Sequence, residues 1–154
     1  MTKALVSLSG GMDSATALAL AIASGVEVEC VFFHYGSKHN VYEKAAAAKI
    51  AAHYKHIPTF IDLSSIMGHF KSNLLLGGGD IPEGHYEADT MKQTVVPARN
   101  MIFASILAGL AVSKDARQIW LGVHAGDHAI YPDFRPQFIG FMQDAIRCGT
   151  GAPI

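Results

Sequence analysis

The residues best placed to do chemistry stand near the start of the chain, in the run Ala4-Leu5-Val6-Ser7-Leu8-Ser9-Gly10-Gly11-Met12-Asp13-Ser14. An apolar stretch ends in Ser-Gly-Gly-x-Asp-Ser, and an Ala/Leu-rich stretch follows. This pattern predicts a strand, a glycine turn and a helix start. Such a junction turns backbone N–H groups and the positive end of a helix dipole toward an anion. Gly10 and Gly11 let the main chain approach a ligand closely and adopt positive φ. Ser9 and Ser14 add hydroxyl donors, and Asp13 is suited either to hold Mg²⁺ or to fix the turn. The ligand this chemistry expects is a phosphate or pyrophosphate. The plain alternative is an ordinary strand–helix turn with a Ser or Asp cap. Six consecutive positions in this context argue against it. No Walker pattern occurs in the chain, and no third glycine completes a dinucleotide-binding pattern.

Three further segments carry polar side chains. Phe33-His34-Tyr35-Gly36-Ser37-Lys38-His39 suits an adenosine site, with Lys38 or His39 able to meet phosphate. Arg99 follows Val95-Val96-Pro97-Ala98 at an expected helix start, where a cation opposes the macrodipole. A residue that breaks a local rule is a functional candidate. Its guanidinium suits an α-phosphate or a substrate carboxylate, and a structural ion pair with an Asp is the alternative. The fourth segment runs from Gly122 to Pro136 and contains His124, Asp127, His128, Tyr131, Asp133 and Arg135. Asp127 or Asp133 could accept the N–H groups of a guanine-like ring, and His124 or His128 could orient a nucleophile. His124, His128 and Asp127 have the right types for a metal, but nothing in their spacing requires one.

These segments need a scaffold that brings them together. Ala4–Leu8, Val26–Phe33, Thr59–Asp62 and Gln118–Val123 read as strands, the first too continuously apolar to be half exposed. Ser14–Ser24, Val41–His53 with Asn40 as cap, Asn100–Ser113 and Pro136–Arg147 read as helices. The alternation predicts an α/β fold: a doubly wound, open parallel sheet with helices on both faces, whose ligands bind at the carboxyl ends of the strands. The helix at 100–113 is apolar nearly all round and is expected to pack deeply. Residues 64–94 interrupt the pattern, and 71–94 read as a lid or substrate loop.

The 154 residues suffice for one domain, 1–154, with a sizeable core. Half of them are apolar and the mean hydropathy is +0.24, which suits a buried parallel sheet. A net charge of −1 gives no general attraction to nucleic acid. Cys30 and Cys148 form neither a disulfide framework nor a Cys-x-x-Cys metal site. With no signal peptide and no apolar run of about 18 residues, a reducing cytoplasm is the expected compartment and no membrane partner is expected.

Ser9, Gly10, Gly11, Asp13 and Ser14 resemble the pyrophosphate loop (PP-loop) of ATP pyrophosphatases. With Tyr35-Gly36 and His39, Val96-Pro97-Ala98-Arg99-Asn100, and Gly122-Val123 followed by Asp127 and Tyr131-Pro132-Asp133-x-Arg135, the chain is similar along its whole length to the 7-cyano-7-deazaguanine synthase family. The resemblance implies an ATP-dependent ligase. In that family 7-carboxy-7-deazaguanine is adenylated, ammonia displaces AMP to give the amide, and a second adenylation leads to the nitrile. It implies Asp13, Arg99 and Asp127 as catalytic residues. Ser9, Gly10, Gly11, Met12, Asp13, Ser14, Tyr35, His39 and Arg99 would bind ATP with Mg²⁺, and His124, Asp127, Tyr131, Asp133 and Arg135 the deazaguanine. It also implies a homodimer that does not itself bind nucleic acid. The family carries zinc on C-terminal cysteines that are absent here, so a short form without that region is expected. Phe134 stands where the family has Cys, and Ala98 where many members have Gly. The alternatives are a variant that stops at the amide, another amide-forming ligase with the same loop, or a nucleotide-binding module without turnover. A tRNA thiolase would be expected to carry catalytic cysteines and a basic surface.

Overall fold

A computed structural model of the chain describes residues 1–81, 89–124, 126 and 131–154. Its frame is a parallel sheet of β1 (Lys3–Ser7), β2 (Glu27–His34), β3 (Thr59–Asp62) and β4 (Gln118–Trp120), in the spatial order β3-β2-β1-β4. Strand β1 is central, with Val6 opposite Cys30 on β2 and Trp120 on β4. Its residues are apolar without alternation because both faces of the sheet are covered. Helices α1 (Met12–Ala23) and α2 (Asn40–His53) cover one face, where Val6, Leu8, Leu18, Cys30, Phe32 and Ala47 are buried together. The other face holds Leu5, Val31, Phe33, Met67, Phe103 and Leu107 beneath α3 (Ser64–Met67) and α4 (Arg99–Ser113), with α5 (Pro136–Thr150) at its margin. The expected doubly wound sheet is therefore present. The chain winds outward from β1 to β3 and returns to β4 on the other side of β1, so the crossover reverses between β1 and β4. A crevice opens at such a reversal.

Several details depart from the sequence expectations. Strand β4 ends at Trp120, not Val123. Among the described residues it pairs with β1 alone, over Ala4–Val6, and that ladder stops where Gly122 closes on the start of α1. Helix α4 buries one stripe, Phe103, Ala104, Leu107, Ala108 and Ala111, while Met101 and Val112 remain 48% and 46% exposed. Its apolar composition makes Lys92–Ser113 long and apolar enough to span a membrane by length and composition; here the stripe packs on the sheet. Asn40 does not cap α2, because it is itself the first helical residue and its side chain serves the preceding loop.

The described parts of 64–94 include α3 and a 3-10 turn at Asp89–Thr94. They are seated on the loop after β2: Lys38 N–H donates to Leu74 O at 3.0 Å and Leu76 N–H to Gly36 O at 2.9 Å. Asn73 N–H donates to Gln93 O at 2.8 Å, closing the segment on itself. Leu75, Thr94 and Val96 are buried.

Candidate functional site

The glycine loop is shaped by contacts on both sides. Gly10 has φ +88°, and a Cβ there would lie 2.7 Å from Glu43 O and 2.8 Å from Ala47 N. Only glycine meets both demands. The N-cap of α1 is Gly11, which offers no side chain to the orphan N–H groups of the first turn. The turn is therefore not an ordinary Ser/Asp-capped one. Ser14 braces it from within: its Oγ accepts from Ser9 N–H at 3.2 Å and donates to Gly11 O at 2.9 Å. Ser9 Oγ donates to Ser14 Oγ at 3.1 Å.

The loop after β4 closes on the same helix start. A Cβ on Gly122 would lie 2.5 Å from Ser14 N. Just beyond, His124 Nε2 lies 3.8 Å from Asp13 Oδ2, and its Nδ1 accepts from Gly126 N–H at 3.2 Å. That second bond leaves the Nε2 proton facing Asp13 when the ring is neutral.

Arg99 opens α4 after Ala98, whose φ of +53° is left-handed. Its Nη1 donates to Tyr35 OH at 3.4 Å, and its Cζ sits 5.8 Å from the Tyr35 ring centroid. Its hydrogen-bond partner among the described residues is thus a phenol, where the sequence allowed an aspartate. Tyr35 is buried and rests edge-on against Phe103. Burial holds its pKa above the ordinary phenol value, with Arg99 pulling the other way, so at neutral pH it is an uncharged acceptor.

Ser9, Ser14, Tyr35, Glu43, Arg99 and Gly122 line one cavity of about 130 Å³ at the crossover. Of the residues singled out from the sequence, Ser9, Ser14, Tyr35 and Arg99 meet there, with Asp13 and His124 beside Gly122. Gly10 faces α2 instead, and Met12, 81% exposed, lies outside the cavity lining. His39 precedes α2 and donates its backbone N–H to Ser37 Oγ at 3.1 Å. Tyr131 stacks on Phe134, which reaches the cavity wall, and Arg135 leads into α5. Asp133 Oδ2 accepts the backbone N–H of Asn100 at 3.0 Å, so this carboxylate serves α4 in the structure. Asp127 and His128 lie outside the described residues. A larger groove of about 520 Å³ runs between β4 and α5, lined largely by apolar side chains such as Ile119, Met142 and Ile146. Arg117 and Arg147 also line it, but the serines of the glycine loop line the smaller cavity instead.

Sequence reasoning missed Glu43, and named Asn100 only as part of the Pro97–Asn100 segment. Glu43 is partly buried, and burial raises its pKa above the usual carboxylate range against the opposing pull of Asn40 and Arg99. The one signal for it was its place three residues after Asn40, on the same helix face. Asn100 also lines the cavity, and its Nδ2 is buried with no partner among the described residues. An orphaned buried donor is expensive, and such strain collects at functional sites.

The sheet order, the glycine loop at the crossover and the Arg99 cavity define an α/β protein of the PP-loop class. The chain superimposes on a crystal structure of a 4-thiouridine synthetase–RNA complex with bound ATP at a TM-score of 0.57. That match covers 93% of this chain and 34% of the other at 17% identity, a likeness of fold alone. Within the class, the family model of queuosine biosynthesis protein QueC matches residues 3–154, and the chain belongs to that family. It is 42% identical to 7-cyano-7-deazaguanine synthase 2 of Colwellia psychrerythraea, covering 100% of this chain and 70% of that protein. It is 46% identical to the 7-cyano-7-deazaguanine synthase of Porphyromonas gingivalis, covering 95% of this chain and 66% of that one.

The zinc implied by the family has no matching donor set among the described residues. Cys30 is buried beneath α1 and α2, Cys148 is exposed on α5, and no three His, Cys, Asp or Glu side chains gather.

Proposed function

We propose that the chain is an ATP-dependent ligase converting 7-carboxy-7-deazaguanine and ammonia to 7-cyano-7-deazaguanine. The carrying observation is the uncapped glycine turn of α1, faced across one small cavity by Arg99. In this reading the first-turn N–H groups of Met12 and Asp13, with Gly11 N–H released from its 3.4 Å bond to Ser9 Oγ, take the β- and γ-phosphates, and Arg99 takes the α-phosphate. Asp13 would hold Mg²⁺, which would supply charge neutralisation on the phosphates.

The substrate carboxylate attacks the α-phosphorus and pyrophosphate leaves. Ammonia then adds to the acyl carbon, AMP leaves with its oxygen, and a proton passes to a base. Asp127 is a candidate base, and His124 turns its Nε2–H toward the Asp13 carboxylate. A second ATP takes up the amide oxygen in the same way. Loss of two N–H protons and AMP leaves the C≡N bond, so both carboxylate oxygens depart on AMP. What the protein supplies is charge stabilisation and alignment, the terms that dominate phosphoryl and adenylyl transfer.

Tyr35 and His39 complete the nucleotide side, and His124, Asp127, Tyr131, Asp133 and Arg135 the deazaguanine side. A homodimer joined through the outward stripe of α4, with Met101 and Val112, and a cytoplasmic setting that suits the free thiols belong to the same reading. The test is AMP release from Mg-ATP, followed by chromatography. Release should require the acid substrate and disappear in Asp13→Ala. AMP release equal in that variant would overturn the assignment.

A further inference from the structure

Glu43 stands in a contradictory place. Its main chain backs onto Gly10 of the anion loop, and its carboxyl lines the cavity that Ser9, Ser14 and Arg99 also line. A carboxylate there repels the phosphates that the loop is built to attract. Its bonding explains why it is present. Glu43 Oε2 accepts from Asn40 Nδ2 at 2.8 Å. Asn40 is 1% exposed, and its Oδ1 accepts Tyr35 N–H at 3.1 Å and Ser37 N–H at 2.8 Å. All three bonds fix which way the amide points, since flipping it would set donor against donor. The amide in turn holds the backbone of Tyr35, and the Tyr35 hydroxyl accepts Arg99 Nη1. A continuous chain of contacts thus runs from Glu43 through Asn40 and Tyr35 to the cation of the site.

We propose that Glu43 is a positioning residue of the nucleotide site, setting the Asn40 amide and through it the Tyr35 loop against which Arg99 is held. The inference rests on the reading of this cavity as the ATP site. The role requires an acceptor oxygen at the Glu43 position and no negative charge. Glutamine retains such an oxygen, and alanine does not. A carboxylate serving as direct counter-ion of Arg99, or as a metal ligand, would fail equally with either replacement.

The test is calorimetric titration of Mg-ATP into the full chain as wild type, Glu43→Gln, Glu43→Ala, Tyr35→Phe and the Glu43→Ala/Tyr35→Phe pair, with a melting curve for each. Glu43→Gln should bind within about threefold of wild type, and Glu43→Ala about tenfold or more weakly, the scale expected for loss of a group that orients a binding side chain. Because the two residues act in one chain, the pair should lose less than the product of the single losses. Equal losses for Gln and Ala, or fully multiplicative losses in the pair, would overturn the proposal. If Glu43→Ala does not fold, Glu43→Gln and Tyr35→Phe still decide: a Gln variant as weak as Tyr35→Phe contradicts the acceptor role. A wild type that binds ATP without releasing AMP sinks the ligase reading and leaves the binding ratios to judge Glu43. A wild type that binds no ATP overturns both.

Discussion

The Asp133 carboxylate accepts the backbone N–H of Asn100 at 3.0 Å and so caps a helix from outside it. Helix α4 begins after Ala98, which has no side chain to satisfy the first-turn N–H groups. Asp133, from the short 3-10 turn Pro132–Phe134, supplies the missing acceptor and a negative charge at the positive helix end. The same bond ties the loop after β4 to the residue next to Arg99. Asp133→Ala should cost about 1 kcal/mol of stability, the usual worth of a cap. Asp133→Asn, which keeps an acceptor, should cost less. Mg-ATP-dependent AMP release should fall further in the Ala variant than in the Asn variant. Urea unfolding and an AMP assay on both variants check this.

Two glycines of different surroundings give opposite expectations. Gly122→Ala drives a methyl into the backbone of Asp13 and Ser14, separating the β4 loop from the start of α1. It should destabilise by ~1–3 kcal/mol, the range for overpacking, and weaken ATP binding. Gly109 sits mid-helix in α4 with open space around its Cα. Gly109→Ala should stabilise by ~0.5–1 kcal/mol through helix propensity. Melting curves distinguish the two directly.

The thiols should differ sharply. Cys148 is exposed, whereas Cys30 is buried and its thiol is pushed up to about 11, first by burial and then by the Glu29 carboxylate. A thiol reagent at pH 8 should titrate one group in the native protein and two after unfolding. The raised value means that the folded state holds the Cys30 proton more tightly than the unfolded chain, whose thiol titrates at 9.0. Its contribution to stability is therefore complete below pH 9 and is lost as pH rises through about 11. Cys30→Ala should remove that part of the alkaline decline.

The glycine loop, the doubly wound sheet and the cavity residues Ser9, Ser14, Tyr35 and Arg99 were legible because local rules carry them. Strands covered on both faces read as unbroken apolar runs, and a Ser-Gly-Gly turn before a helix has few other uses. What was not legible depends on neighbours distant in sequence. The early end of β4 follows from the approach of Gly122 to the start of α1, a contact made across more than 100 residues. Asn40 looked like a helix cap, but the helix starts one residue earlier, at Asn40 itself, and its side chain serves the Tyr35–Ser37 backbone. The bond from Asn100 N–H to the Asp133 carboxylate, made across 33 residues of sequence, gave no local signal. Glu43 gave no signal in an alanine-rich helix, since its meaning comes from the cavity that it faces.

The central claim is tested most directly by mass spectrometry of the products formed from 7-carboxy-7-deazaguanine, an ammonium salt and Mg-ATP. The account predicts the nitrile, accompanied by two AMP per molecule formed. The amide as sole product would contradict the second adenylation, and the absence of AMP would contradict the ligase assignment itself.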